Sequence, residues 1–131
     1  MTPVAAHFDA IERLLLISKA VARFTELNRE ALSKVGQLRV RAELLDGGVL
    51  EFFEYVMIEP SGLVRPVKYS YHWQDANRQL VRRWDNVKHH LELPNAPHHV
   101  HRAGGQVEGV QPPPDLETVL KEIEGYLGIN S

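Results

Sequence analysis

The sequence predicts an α+β domain over residues 1–131: an antiparallel β-meander of four to five strands at about residues 37–85, with an N-terminal and a C-terminal helix packed on one face. Three observations carry that prediction. Apolar residues recur at helical spacing near both ends of the chain, the middle alternates with period two, and Asp-Gly and Pro-x-Gly clusters separate the alternating runs.

Taken in order, Thr2-Pro3 supplies an N-cap hydroxyl and a proline suited to the first helical position. Phe8, Ile11, Leu14, Leu15 and Ser18 then follow helical spacing, which predicts a helix over roughly residues 3–17. Val21, Phe24, Leu27, Asn28 and Ala31 also keep helical spacing, but without caps, so residues 21–31 read either as a second helix or as an irregular strand. Gly36 ends that segment in either reading. Leu38, Val40, Ala42 and Leu44 alternate with Arg39, Arg41 and Glu43, the period of a half-buried strand. Asp46-Gly47-Gly48 makes a hairpin turn into Val49–Ile58, and Pro60-Ser61-Gly62 makes the next. Val67 to Trp73 alternates again, and Asp75 to Arg78 turns into Leu80 to Trp84. A histidine-rich loop occupies about residues 86–103, where Pro94 and Pro97 exclude regular structure. Pro112-Pro113-Pro114 is a stiff spacer, and Asp115 caps a helix over about residues 115–127 with Leu116, Val119, Leu120, Ile123 and Leu127 on one stripe.

Composition narrows the function classes. The 131 residues contain no cysteine, which removes disulfides, thiolate nucleophiles and cysteine metal sites. No apolar run approaches the roughly 20 residues of a membrane span, and Asp9 and Glu12 precede the first apolar stretch, unlike a signal peptide. A cytoplasmic location is therefore expected. The net charge is −2. Residues 66–103 nevertheless carry six Lys/Arg against three Asp/Glu, and six of the seven histidines. Residues 104–131 carry one against five. A basic, histidine-rich island in an acidic chain suits a phosphate-bearing partner.

Five histidines lie between Arg82 and Arg102: His89, His90, His98, His99 and His101. Imidazoles titrate near neutrality, so such a group points to proton transfer, metal ligation or phosphate contact. One reading is a zinc or nickel site built from His89, His90, His98 and His101. Another is metal-free cleavage of RNA, which needs a base for the 2′-hydroxyl, an acid for the leaving oxygen and cations for the phosphate. His90 with His98 or His99 would be the acid–base pair, Arg82, Arg83 or Arg102 the clamp, and Asp85 the group that orients an imidazole. A third reading has the loop lying across the sheet, with Asp85-Asn86 forming only a turn. Tyr69, Tyr71, Trp73 and Trp84 read first as packing and second as base-stacking platforms. His7 reads as a surface or packing residue, and Arg39 and Arg41 as a solvated strand face.

The stretch from Lys68 to His101 resembles the hallmark of a small prokaryotic family of uncharacterised domains that includes the TumE-type toxins of toxin–antitoxin pairs. The resemblance is carried by Lys68, Tyr69, Tyr71 and His72 on a strand, by Trp84, Asp85 and Asn86 at the end of the next, and by His89, His90, His98, His99 and His101. The Asp46–Tyr55 hairpin and the closing amphipathic helix also resemble it. Trp84 stands where tyrosine is common, and the two histidine groups are further apart than in compact members. The resemblance implies a toxin neutralised by an antitoxin of helix-turn-helix type, and together with the basic histidine loop it points to a toxin that cleaves or binds RNA. With it, the catalytic candidates are His89, His90, His98, His99, His101 and Asp85; the substrate-binding candidates are Arg82, Arg83, Arg102, Lys68, Tyr71 and Asn86. No cofactor is expected on that reading, and self-association remains open. The alternative is a non-enzymatic domain that binds zinc, nickel or a partner through the same loop.

Overall fold

The computed structural model describes residues 1–87, 98–110 and 112–129. Helix α1 (Pro3–Ile17) leads into seven strands: β1 (Val21–Ala31), β2 (Val35–Leu44), β3 (Val49–Ile58), β4 (Val64–Gln74), β5 (Leu80–Asp85), β6 (His99–Arg102) and β7 (Val107–Gly109). Helix α2 (Leu116–Tyr126) follows. The strands form one antiparallel sheet in chain order, β1 to β7, a simple meander.

Both helices start where their caps direct. Thr2 Oγ1 accepts from Ala5 N at 3.1 Å and Asp115 Oδ1 from Thr118 N at 2.8 Å, each satisfying a first-turn amide with no partner inside the helix. Val4, Phe8, Ile11 and Leu15 are the buried stripe of α1, and Leu116, Val119, Leu120 and Ile123 that of α2. They pack on the sheet face that carries Leu38, Val40, Ala42, Leu50, Phe52, Tyr71, Trp73 and Trp84, all buried. Each fully buried side chain of this size contributes about 1.5–3 kcal/mol, so this layer is the main source of stability. No helix among the described residues is long and apolar enough to cross a membrane.

The sheet is larger than the four to five strands expected, for two separate reasons. Residues 21–31 form a strand and not a helix. Here, pairing with the whole of β2 overrides weak helical spacing, and Arg29 anchors the strand to α1 through Asp9 Oδ1 at 2.8 Å and Glu12 Oε2 at 3.0 Å. At the other end, β6 and β7 form within and just beyond the stretch expected to be an irregular loop. Pro94 and Pro97, expected to exclude regular structure there, lie outside the described residues.

Gly36 does not terminate the preceding segment as expected. It lies inside β2 opposite Ala31, and a Cβ there would stand 2.5 Å from Val4 Cγ1 and 2.7 Å from Glu30 O. The glycine is what lets α1 approach the sheet. The chain reverses instead at residues 32–34. The expected turns at Asp46–Gly48 and Pro60–Gly62 are present, with Gly47 at φ 88° and Gly62 at φ 91°. Asp46 Oδ1 accepts from Gly48 N at 2.8 Å.

Candidate functional site

Alternation along each strand sorts the polar side chains between two sheet faces. The face turned from the helices carries two rows that run across the sheet. Pairing in register places Arg41, Glu51, His72, Arg83 and His101 side by side on β2 to β6. The next row is Arg39, Phe53, Ser70, Asp85 and His99. Directly opposed residues hold their Cβ atoms about 4.5–5.5 Å apart, so neighbours within a row touch.

Asp85 is the hub of this face. Its carboxylate is only 2% exposed. Oδ1 lies 2.8 Å from His99 Nε2 and accepts from Val87 N at 3.1 Å. Oδ2 accepts from Arg83 Nε at 3.1 Å and lies 3.5 Å from His101 Nε2. The two imidazoles meet edge to face with centroids 4.9 Å apart. His99 is buried, whereas the His101 side chain is 24% exposed. Arg83 extends the network to β4, its Nη1 lying 3.4 Å from His72 Nδ1. Burial and, after it, the Arg83 charge hold the His72 imidazole below its ordinary value, favouring the neutral ring. Arg39 and Arg41 flank Glu51 at 3.4 and 3.9 Å, closing a polar concavity of about 310 Å³ that His72 and Arg83 also line.

The remaining candidates go elsewhere. His98 has the opposite parity to His99 and His101, and its Nδ1 meets Tyr69 OH at 2.8 Å. Burial, with the neighbouring His99 second, lowers its titration; burial, with the Asp85 charge second, raises that of the Tyr69 phenol. His98 and His101 thus lie on opposite faces and do not share the ligand set expected of them; His89 and His90 lie outside the described residues. The three candidates for the phosphate clamp also divide. Arg83 faces Asp85, but Arg82 reaches back to Glu122 on α2, and Arg102, of Arg82's parity, lies 3.4 Å from Glu108. Asn86 is a splint: its amide donates to Val67 O at 2.9 Å and its oxygen accepts from Tyr69 N at 3.0 Å, extending the β4–β5 pairing by one side chain. Lys68 is exposed beside Asn86 and His98.

Tyr71, expected to touch substrate, is fully buried on the helix face. Its hydroxyl donates to Glu54 Oε2 at 2.7 Å, while His7 Nε2 lies 2.9 Å from Oε1. Burial, and then the Glu54 charge, push the Tyr71 phenol well up, so it is a proton donor throughout the physiological range. His7 is accordingly the α1 end of a buried polar tie. Glu54, His72, Arg39 and Arg41 fall outside the expected site residues. The available signal was parity, since Ser70/His72, Arg83/Asp85 and His99/His101 each alternate with buried residues.

The face thus sets two imidazoles, His72 and His101, on either side of Arg83, with the buried Asp85 carboxylate behind His101. Three ligand-type atoms, on Asp85, His99 and His101, lie within 4.8 Å of one another. A protein-family model described as Toxin TumE matches residues 10–127 of the chain. No curated protein and no solved structure shows significant similarity to it.

Proposed function

The chain belongs to the TumE toxin family, and on that premise we propose that it is a toxin acting on RNA at the sheet face turned from α1 and α2. The observation that carries the reading is the row His72–Arg83–His101, with Asp85 behind it. Cleavage through the 2′-hydroxyl needs a base, an acid and a cation between them. His72, kept neutral by burial and Arg83, is suited to take the 2′-oxygen proton. His101, whose Nε2 faces the Asp85 carboxylate, is suited to deliver a proton to the leaving 5′ oxygen. Arg83 stands between them in register, where the phosphate would carry its extra charge. Strands two apart are separated by roughly 10 Å, a gap that the two imidazoles and a bridging phosphodiester can fill. Arg41 continues the same row across the sheet beyond Glu51, with Arg39 next to it on β2, toward neighbouring phosphates.

The proposed partner is an antitoxin, a small helix-turn-helix protein as the family resemblance implies. Occlusion of that face is the simplest way for it to neutralise the toxin. The competing reading is a non-enzymatic domain that binds metal or a partner through the same residues.

The test is incubation of purified protein with RNA, with and without EDTA, beside His72→Ala, His101→Ala, His90→Ala and His98→Ala. Cleavage that survives EDTA and falls about 10²–10⁴-fold in the His72 and His101 variants is the expected result. His98→Ala, altered on the opposite face, should keep most of the activity. No cleavage by the parent protein, or undiminished cleavage by both the His72 and His101 variants, would overturn the proposal.

A further inference from the structure

We infer that Asp85, His99 and His101 form a binding site for a single divalent transition-metal ion of the zinc class. Three observations converge on it. The three side chains come from adjacent paired strands, with Asp85 directly opposite His99, so their positions are fixed by the sheet and not by a loop. Their ligand atoms are gathered within 4.8 Å, with Asp85 to His99 at 2.8 Å and Asp85 to His101 at 3.5 Å. Ligands around a tetrahedral zinc, bound at about 2.0–2.1 Å, stand roughly 3.3 Å from one another, between those two separations. The third separation, His99 to His101, lies within 4.8 Å and would close toward the same value on binding.

Ligand chemistry selects the ion. Two imidazole nitrogens and one carboxylate oxygen suit zinc, nickel or cobalt; magnesium and calcium prefer oxygen-only sets. Three protein ligands leave one position open, the pattern of an exchangeable site. Arg83 Nε, held on Asp85 Oδ2 at 3.1 Å, is the outer partner that fixes the carboxylate. Entry is through His101, the exposed member of the three. These residues differ from the quartet that sequence spacing suggests, because His98 faces the other way.

The site overlaps the proton-transfer group proposed above. A bound ion takes the Nε2 lone pair of His101, so a further consequence, which rests on that reading, is that metal holds the toxin inactive and chelation releases it.

The experiment is titration of the metal-stripped full chain with Co²⁺ and Zn²⁺, read by cobalt d–d absorption and by calorimetry, with circular dichroism to verify folding. Parent protein and His98→Ala should bind one equivalent with a cobalt spectrum of four- or five-coordinate type. Affinity should fall by at least about 100-fold in His101→Ala, more than the loss of an outer partner costs. Absence of stoichiometric binding by the folded parent, or unchanged binding by folded His101→Ala, overturns the inference. Binding, with no RNA cleavage by the metal-stripped chain, would leave the metal site standing and remove the ribonuclease reading; EDTA-resistant cleavage without binding would do the reverse.

Discussion

Asp85 and His99 face each other across β5 and β6 with Oδ1 and Nε2 2.8 Å apart, both buried on the sheet face that carries no helix. A carboxylate in that position is retained at a cost in desolvation that its partners must offset. Arg83, Val87 N and His101 supply the remaining contacts.

Removing that carboxylate should therefore be costly to the fold as well as to the site. Asp85→Ala removes the carboxylate that faces two imidazoles and a guanidinium, and unfolding free energy in urea should drop by about 3–5 kcal/mol. Asp85→Asn, which keeps the shape and part of the hydrogen bonding, should lose less. Equal stability of parent and alanine variant would show that the network contributes nothing to folding.

On the opposite face, Tyr71→Phe should cost roughly 1–3 kcal/mol, because Glu54 Oε2 loses its 2.7 Å donor inside the core. Glu54→Leu, which leaves the buried Tyr71 hydroxyl without its acceptor, should cost at least as much as Tyr71→Phe. Denaturant midpoints of the two variants, compared at constant m, are the measurement.

Gly36→Val tests the close approach of α1 to β2. Its Cβ would meet Val4 and the Glu30 carbonyl at 2.5 and 2.7 Å, so a loss of about 1–3 kcal/mol from overpacking is expected. Combining it with Val4→Ala should recover only part of this loss, since the carbonyl contact remains. Full recovery would mean that the helix, not the backbone, sets the limit.

The pH response of the sheet face turned from the helices follows from His72. Its titration is lowered in the folded protein, first by burial and then by Arg83, with Glu51 and Gln74 opposing. The unfolded chain consequently binds more protons, and stability rises with pH across the window from the folded value up to the ordinary value near 6.5. Melting temperatures from pH 5 to 7.5 should fall less steeply for His72→Gln than for the parent toward the acid end. Identical slopes would place the pH dependence elsewhere.

The sequence by itself determined the features whose causes are local. Thr2, Pro3 and Asp115 specify helix starts through contacts with amides a few residues on. Asp46-Gly47-Gly48 specifies a hairpin because Gly47 occupies positive φ. The TumE resemblance was likewise legible in a contiguous run of residues, and family membership bears it out.

Tertiary structure alone decided what depends on which strand lies beside which. Residues 21–31 became a strand because β2 offered an edge to pair with, outweighing a weak helical period. The histidine run divided because strand pairing carries through His99–Arg102, after which period-two alternation sends His98 to the core side and His99 and His101 to the opposite side. The same rule parted Arg82 from Arg83. Arg39 and Arg41, which read as solvated surface, join His72 and Arg83 around one concavity only because four strands stack in register. Hydrogen-bond pairing between segments far apart in the chain fixes those neighbours, and no local pattern of residues encodes it.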